Sequence, residues 1–327
     1  MLLLSMFYLA CERNIDNEIE HSPKMSKRTS ERIMFYNVEN LFDTIDDPHK
    51  ADNEFLPTGK KEWNSQKYFK KLNQIGKVII AVGEWKAPAI IGLCEIENRT
   101  VLNDLVNNSP LQKMQYQIVH HESPDPRGID VALLYNAKKF RVLSDSALTI
   151  RKRDSSLART RDILYVQGIL EKDTIHIYVN HWSSRRGGQM ATEQKRINGA
   201  NTLRKHLDGV FSKNTNAKVL IMGDFNDEPD NKSVYDVLVK GELYNAMFNK
   251  NSVSAGTNRY RNKWNMLDQI ILSITLKRKM SEAEIFKRDW LFSEDKNGER
   301  KNLFRTYQGP IYKGGYSDHL PVYIDFL

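Results

Sequence analysis

The chain has 327 residues, a formal net charge of +8, 40% hydrophobic and 28% charged side chains, and two cysteines. That length suits one large domain or two small ones, and the basic balance favours polyanionic ligands without specifying any. A disulfide framework is excluded, as are an internal repeat, general disorder and an apolar run long enough to cross a bilayer.

The first ten residues, ending Tyr8-Leu9-Ala10, are apolar, and Cys11 follows small Ala10. This resembles the lipobox of a bacterial lipoprotein, with Cys11 lipidated after cleavage. The expected product is an envelope lipoprotein or secreted protein, with residues 1–31 as signal-like segment and polar tether. A start at Met25 is the alternative and gives a cytoplasmic protein. One domain is expected over residues 32–327, acting as a monomer.

Ile33 to Val38 predicts a strand ending in polar residues. Tyr68, Leu72, Ile75, Ile79 and Val82 share one helical face within 63–82. Residues 46–62 form a long polar loop. Pro88 to Cys94 is a fully apolar strand with Cys94 as a small buried hydrophobe, and 101–106 suggests a short helix. Strands follow at 115–120 and 129–135, and a hairpin at 163–170 and 174–179. A helix covers 190–211, and strands cover 217–222, 267–274 and 321–326. Segments 122–128 and 308–315 read as loops. Strands come in groups without strict alternation with helices. This argues against a doubly wound parallel sheet and for an α+β fold, a four-layer α/β/β/α sandwich of two packed mixed β-sheets.

Several apolar strands stop at an oxygen- or nitrogen-bearing side chain. Asn37 follows Ile33–Tyr36, Glu95 follows Ile90–Cys94, and His181 follows Ile177–Asn180. The run Val219-Leu220-Ile221-Met222 meets Gly223 and then Asp224, Asn226, Asp227 and Glu228. Asp268 follows Leu267, while Asp318 and His319 precede Leu320. Strand ends hold side chains on a rigid frame, so several ends at one edge can converge. Carboxylate and amide oxygens suit a hard cation such as Mg²⁺, and histidines move protons near neutral pH. Singly, each has a plain reading: Glu95 as a helix-start acid, Asp224 and Asn226 as turn residues, His319 as a surface histidine.

Together, FYNVENLF (35–42), LCEIEN (93–98), RGIDVALLY (127–135), VNHWSSR (179–185), MGDFNDEP (222–229), LDQIILS (267–273) and YSDHLPVY (316–323) resemble the endonuclease/exonuclease/phosphatase superfamily, with its deoxyribonuclease-like fold. The resemblance implies a phosphoester hydrolase that uses Mg²⁺, with Mn²⁺ as a substitute. It implies metal binding by Asn37 and Glu95, with Asp318 near the ion. Asp224 and Asn226 then orient water and contact the scissile phosphate. His319 acts as acid/base or phosphate ligand, paired with Asp268, and His181 contacts phosphate or the leaving oxygen.

Substrate groups are expected around this centre. Ser183, Arg185 and Arg186, before two glycines and a helix, form either a phosphate cradle or a mobile basic loop. Tyr260 and Trp264 interleave with bases, either to stack on nucleobases or to pack a hairpin. Arg127 resembles the family's cleft-lining loop. Arg159 and Arg161 read as structural braces for the acidic cluster. Nucleic acid, DNA or RNA, is the first expected substrate. Lipid headgroups or small phosphorylated metabolites are the second. A non-catalytic binding module is a third reading, opposed by the retention of every motif group.

Overall fold

The computed structural model describes residues 31–250, 252, 255–294 and 300–326, so Cys11 and the expected tether lie outside the described residues, except Glu31, which opens the first strand. In chain order the elements begin with β1 (Glu31–Leu41), α1 (Ser65–Gly83), β2 (Ile90–Ile96), α2 (Arg99–Asn107), β3 (Tyr116–His120) and β4 (Asp130–Asn136). β5 (Phe140–Leu148), β6 (Ile163–Leu170), β7 (Asp173–His181), α3 (Gln189–Lys213), β8 (Lys218–Asp224) and β9 (Leu243–Asn245) follow. A hairpin of β10 (Asn258–Tyr260) and β11 (Lys263–Asn265) leads into β12 (Asp268–Ser273), α4 (Ile274–Lys277) and β13 (Met280–Ile285). Two small pairs, β14 (Phe292–Glu294) with β15 (Arg300–Leu303) and β16 (Tyr307–Gln308) with β17 (Ile311–Tyr312), precede β18 (Val322–Phe326).

Two mixed six-stranded sheets carry the fold, ordered β13-β18-β1-β2-β4-β3 and β5-β6-β7-β8-β12-β9. Strand alternation explains how they stack. In β1, Ile33 and Phe35 face the second sheet, while Met34, Tyr36 and Val38 face α1 and α2. In β8, Leu220 and Met222 face the first sheet, while Val219 and Ile221 face α3. Both faces are covered, so these strands read as unbroken apolar runs. Leu72, Ile75 and Ile79 of α1, and Ala200, Leu203 and Leu207 of α3, close the outer layers. The result is the expected α/β/β/α sandwich.

At the seam the sheets approach closely. A Cβ on Gly92 of β2 would meet Met222 Sδ at 2.8 Å, Met222 Cε at 2.9 Å and Phe35 at 3.1 Å. Glycine permits that approach. Asn64 caps α1, its side chain accepting from Lys67 N at 3.1 Å. Gly187 and Gly188 precede α3 with φ of +93° and +117°, conformations that favour glycine.

The sequence missed three edge strands, β5, β13 and the three-residue β9. β5 and β13 alternate poorly and leave much of their length exposed, so they lack the apolar run that marks a central strand. The expected loop at 308–315 contains part of the small β16–β17 pair.

Candidate active site

Register delivers the site. β7 and β8 run parallel with His181 opposite Asp224, and antiparallel β12 sets Asp268 opposite the same Asp224. Three strand ends of the second sheet therefore present side chains at one level. On the first sheet, the β1–β2 register shifts after Asn37 and the β2–β4 register shifts between Cys94 and Ile96. Glu95 sits in that shift with φ +64°. Such an irregularity re-aims a side chain at the end of a ladder, and left-handed backbone at a non-glycine residue is strain held by its surroundings.

The two sheets meet at Asn37. Its Nδ2 donates to Asp224 Oδ2 at 3.0 Å and lies 3.4 Å from Glu95 Oε1. Its Oδ1 accepts from Glu39 N at 3.0 Å. Glu95 Oε2 accepts from Asn40 N at 2.8 Å. Asp224 Oδ1 accepts from Asn226 N at 2.9 Å, and Asn226 Nδ2 donates to Trp182 O at 3.0 Å.

His319 closes the pocket from the loop before β18. Ser317 Oγ donates to Asn37 O at 2.7 Å and accepts from His319 N at 3.0 Å, which ties this loop to β1. His319 Nδ1 and Asp268 Oδ2 are 2.6 Å apart, and Nε2 lies 3.9 Å from Asp224 Oδ2. Burial by itself disfavours the imidazolium. Asp268 and Asp224 outweigh burial, and the His319 pKa stands well above the ordinary value.

His181 is opposite in character. Its Nε2 lies 3.9 Å from both Glu95 Oε1 and Asp224 Oδ2, and its buried Nδ1 has no hydrogen-bond partner among the described residues. Burial first, then the charges of Arg161, Arg127 and His319, hold its pKa well below the ordinary value. Burial also raises Asp224 to about 6, with His319 opposing and Asp268 adding to the rise.

The donor chemistry fits a divalent cation. Carboxylate oxygens of Glu95 and Asp224 converge on one weakly positive group, the Asn37 amide. Hard oxygen donors of this kind suit Mg²⁺ or Mn²⁺. Asp224, Asp268 and His319 also offer ligand atoms within 4.8 Å of one another. In that trio, however, His319 Nδ1 and Asp268 Oδ2 already bind each other, which marks it as a proton-handling pair beside an oxygen-lined cation locus.

The remaining expected residues are dispersed around the rim. Asp318 is half-buried and pairs with Arg305 at 2.8 Å. Arg127 lies 3.7 Å from Asp125 and is close enough for its charge to act on His181. Ser183 is half-buried and Arg186 exposed. Arg185 is occupied by the acidic loop: it donates to Asn226 O at 2.7 Å and Asn231 Oδ1 at 2.8 Å, with Asp227 at 3.5 Å. Tyr260 is exposed on the β10–β11 hairpin, while Trp264 packs edge-on to Phe292 with ring centroids 6.2 Å apart. That hairpin touches the site through Asn258, whose Nδ2 donates to Asp318 O at 3.0 Å. Arg161 is a brace, donating to His181 O at 3.2 Å, to Trp182 O and to Asp125 Oδ2 at 2.9 Å.

Sequence reasoning missed the Glu39–Arg305 clamp. Arg305 Nε meets Glu39 Oε1 at 2.8 Å, and Thr306 N donates to Glu39 Oε2 at 2.7 Å. Buried Lys71 stands 3.9 Å from Glu39, and burial lowers it to about 8 against the pull of that carboxylate. The one local signal was Glu39 itself, an acid two residues after Asn37 near the end of β1.

Comparison with known proteins fits this geometry. The mannosyl-6-phosphatase of Bacteroides thetaiotaomicron superposes with a TM-score of 0.60 at 14% identity, covering 91% of this chain and 100% of that one. The human Nocturnin catalytic domain with bound sulfate gives 0.59 at 18%, covering 92% and 95%. Truncated TDP2 of Caenorhabditis elegans gives 0.58 at 14%, covering 91% and 98%. These likenesses are of fold. No curated protein sequence matches. The model of the Endonuclease/Exonuclease/phosphatase family matches residues 32–327. Every strand end that builds the pocket lies within that match, and the chain belongs to this family of phosphoester hydrolases.

Proposed function

We propose that the protein is a divalent-metal-dependent phosphodiesterase that cleaves nucleic acid by in-line attack of water. One observation carries this reading. Asn37, Glu95, His181, Asp224, Asn226, Asp268 and His319 join in one chain of contacts across the seam between the sheets.

Glu95 and Asn37 would hold the cation, with Asp224 or Asp318 beside them. Held there, Mg²⁺ or Mn²⁺ would supply charge neutralisation for a phosphate oxygen and the departing alkoxide. Asp224 holds the water in line and accepts its proton as the new P–O bond forms and the ester P–O bond breaks. His319, kept protonated by Asp268, donates through Nε2 to the phosphoryl or leaving oxygen. Neutral His181 and Asn226 supply further donors to the equatorial oxygens.

The net charge of +8 supports nucleic acid as substrate. The TDP2 of D. rerio, with a TM-score of 0.54 at 14% identity, is described in complex with a single-strand DNA product. The phosphatase reading draws on likeness to the mannosyl-6-phosphatase. Assays of DNA, RNA, sphingomyelin and sugar or inositol phosphates with Mg²⁺ or Mn²⁺ separate the two. Nuclease turnover is expected to vanish with chelator, return with either ion, and weaken steeply with salt. Turnover confined to small phosphomonoesters, with little salt dependence, would replace the nuclease reading by the phosphatase one. Anchoring through Cys11 is part of the proposal. A fatty-acid label in the membrane fraction should disappear in Cys11→Ser.

A further inference from the structure

The outer face of the second sheet is only partly covered by α3. Beside the helix runs an open groove of about 1600 Å³. Its floor is β5, β6 and β7, its near wall is α3, and its end is closed by the loop after β5. Arg151 N donates to Thr202 Oγ1 at 3.3 Å, fastening that loop to α3. No residue of the catalytic pocket lines the groove. His176 on its floor is five residues from His181 along β7, about 17 Å at strand rise.

The lining has one sign of charge. Arg151, Lys152, Arg153, Lys205, Lys213 and Lys218 face it, and no Asp or Glu among the described residues does. Lys218 is paired with Asp173 from outside the lining. Arg153, Lys205 and Lys213 are exposed and carry no ion pair among the described residues. Exposed cations that line one groove with no acidic side chain among them attract a polyanion.

The floor adds planar rings. Tyr165 Oη lies 2.8 Å from His176 Nδ1 and the two rings stack at 6.0 Å. His206 lies 4.6 Å from Tyr165 between ring centroids, and its Nδ1 is 2.8 Å from Tyr178 Oη. Burial first lowers both histidines, with His206 adding to the effect on His176 and Lys213 to that on His206, so at neutral pH they present uncharged rings. Gln167, Asn198 and Asn201 supply amides that can both donate and accept.

We propose that this groove binds single-stranded nucleic acid, with bases on the Tyr165–His176–His206 platform and phosphates on Arg153, Lys205 and Lys213. Rings plus unpaired cations are how sequence-tolerant single-strand sites are built, and stacking needs bases free of a duplex. A concave groove suits a strand better than a membrane plane. The wall residues Gln194 to Lys213 extend roughly 30 Å along α3, enough for a site at the short end of the usual range of about 4–16 nucleotides. The inference deepens the nuclease reading and rests on it only for its purpose: the groove would retain a strand whose scissile bond lies in the distant pocket.

The test is fluorescence anisotropy of a labelled fifteen-residue oligo-dT in EDTA, where nothing is cleaved, with heparin as a base-free polyanion. The variants are Lys205→Glu/Lys213→Glu, Tyr165→Leu and, as the ring-retaining control, Tyr165→Phe. The double variant should bind oligo-dT at least tenfold more weakly, with its salt slope reduced by about 1.4. It should melt like the parent protein and hydrolyse bis(p-nitrophenyl) phosphate unchanged. Tyr165→Leu should lose about tenfold for oligo-dT and little for heparin, and Tyr165→Phe should behave as the parent. Unchanged oligo-dT affinity in the double variant would overturn the proposal. Equal losses for heparin and oligo-dT in Tyr165→Leu would overturn it too, leaving a plain anionic-polymer surface. Binding is read without turnover, so a protein that binds in the groove but cleaves no nucleic acid refutes the nuclease reading alone.

Discussion

The pocket has two histidines in two unlike halves. Around His319 the neighbours are acids, Asp268 at 2.6 Å and Asp224 at 3.9 Å. His181 also has carboxylates nearby, Glu95 and Asp224 at 3.9 Å, but burial and then the charges of Arg161 and Arg127 prevail, and its Nδ1 has no partner among the described residues. Both rings are buried to a similar degree. Burial pushes both rings toward the neutral form, and only around His319 do adjacent carboxylates reverse it. Direct pairing with Asp268 keeps His319 a charged acid, while burial and the guanidiniums keep His181 a neutral donor, so one pocket handles the leaving oxygen and the equatorial oxygens with different groups.

Asp224 is shared by both halves, and removing it should break the comparison entirely. Asp224→Ala is expected to lower kcat by on the order of ten-thousandfold in a folded protein, read by single-turnover kinetics with circular dichroism as control. His319→Ala should cost roughly a thousandfold, and His181→Ala about a hundredfold, the size of one lost transition-state donor. Equal losses from the two histidine variants would mean that they act as one unit and that the division of labour is wrong. The contrast can also be sharpened without substitution. In metal-free protein at pH 7, imidazole nitrogen shifts should show His319 protonated and His181 neutral. The reverse pattern would remove the basis for both roles.

The fold was legible where strands are buried on both faces. β1, β2 and β8 are nearly continuous apolar runs, and each ends where the sequence places an oxygen-bearing side chain. β5 and β13 lie at sheet edges, where half the residues answer to solvent and no run survives. The site was legible by the same rule, since Asn37, Glu95, Asp224 and Asp268 are strand-end residues. The clamp between Glu39 and Arg305 was not. Those residues are separated by 266 positions, and nothing local to either announces the other. Arg185 shows the converse limit. Its place after His181 suggests a phosphate ligand, whereas its donors go to the backbone and side chains of the neighbouring loop. Sequence proximity reports which groups are near a site, not which atoms they are left to offer.

The close approach at Gly92 has a mechanical consequence. Gly92 lies three residues before Glu95, and Met222 lies two residues before Asp224, so this contact is the fulcrum between the two strands that carry the acids. A methyl group there acts as a wedge: Gly92→Ala must displace the flexible end of Met222 and press on the Phe35 ring. The expected outcome is a small change in the spacing between the strands that carry Glu95 and Asp224. Turnover should fall by threefold to tenfold while the melting temperature changes little, because positioning errors cost rate before they cost stability. The gap across which the chemistry happens is thus gauged by two apolar atoms and a missing side chain, none of which ever meets the substrate.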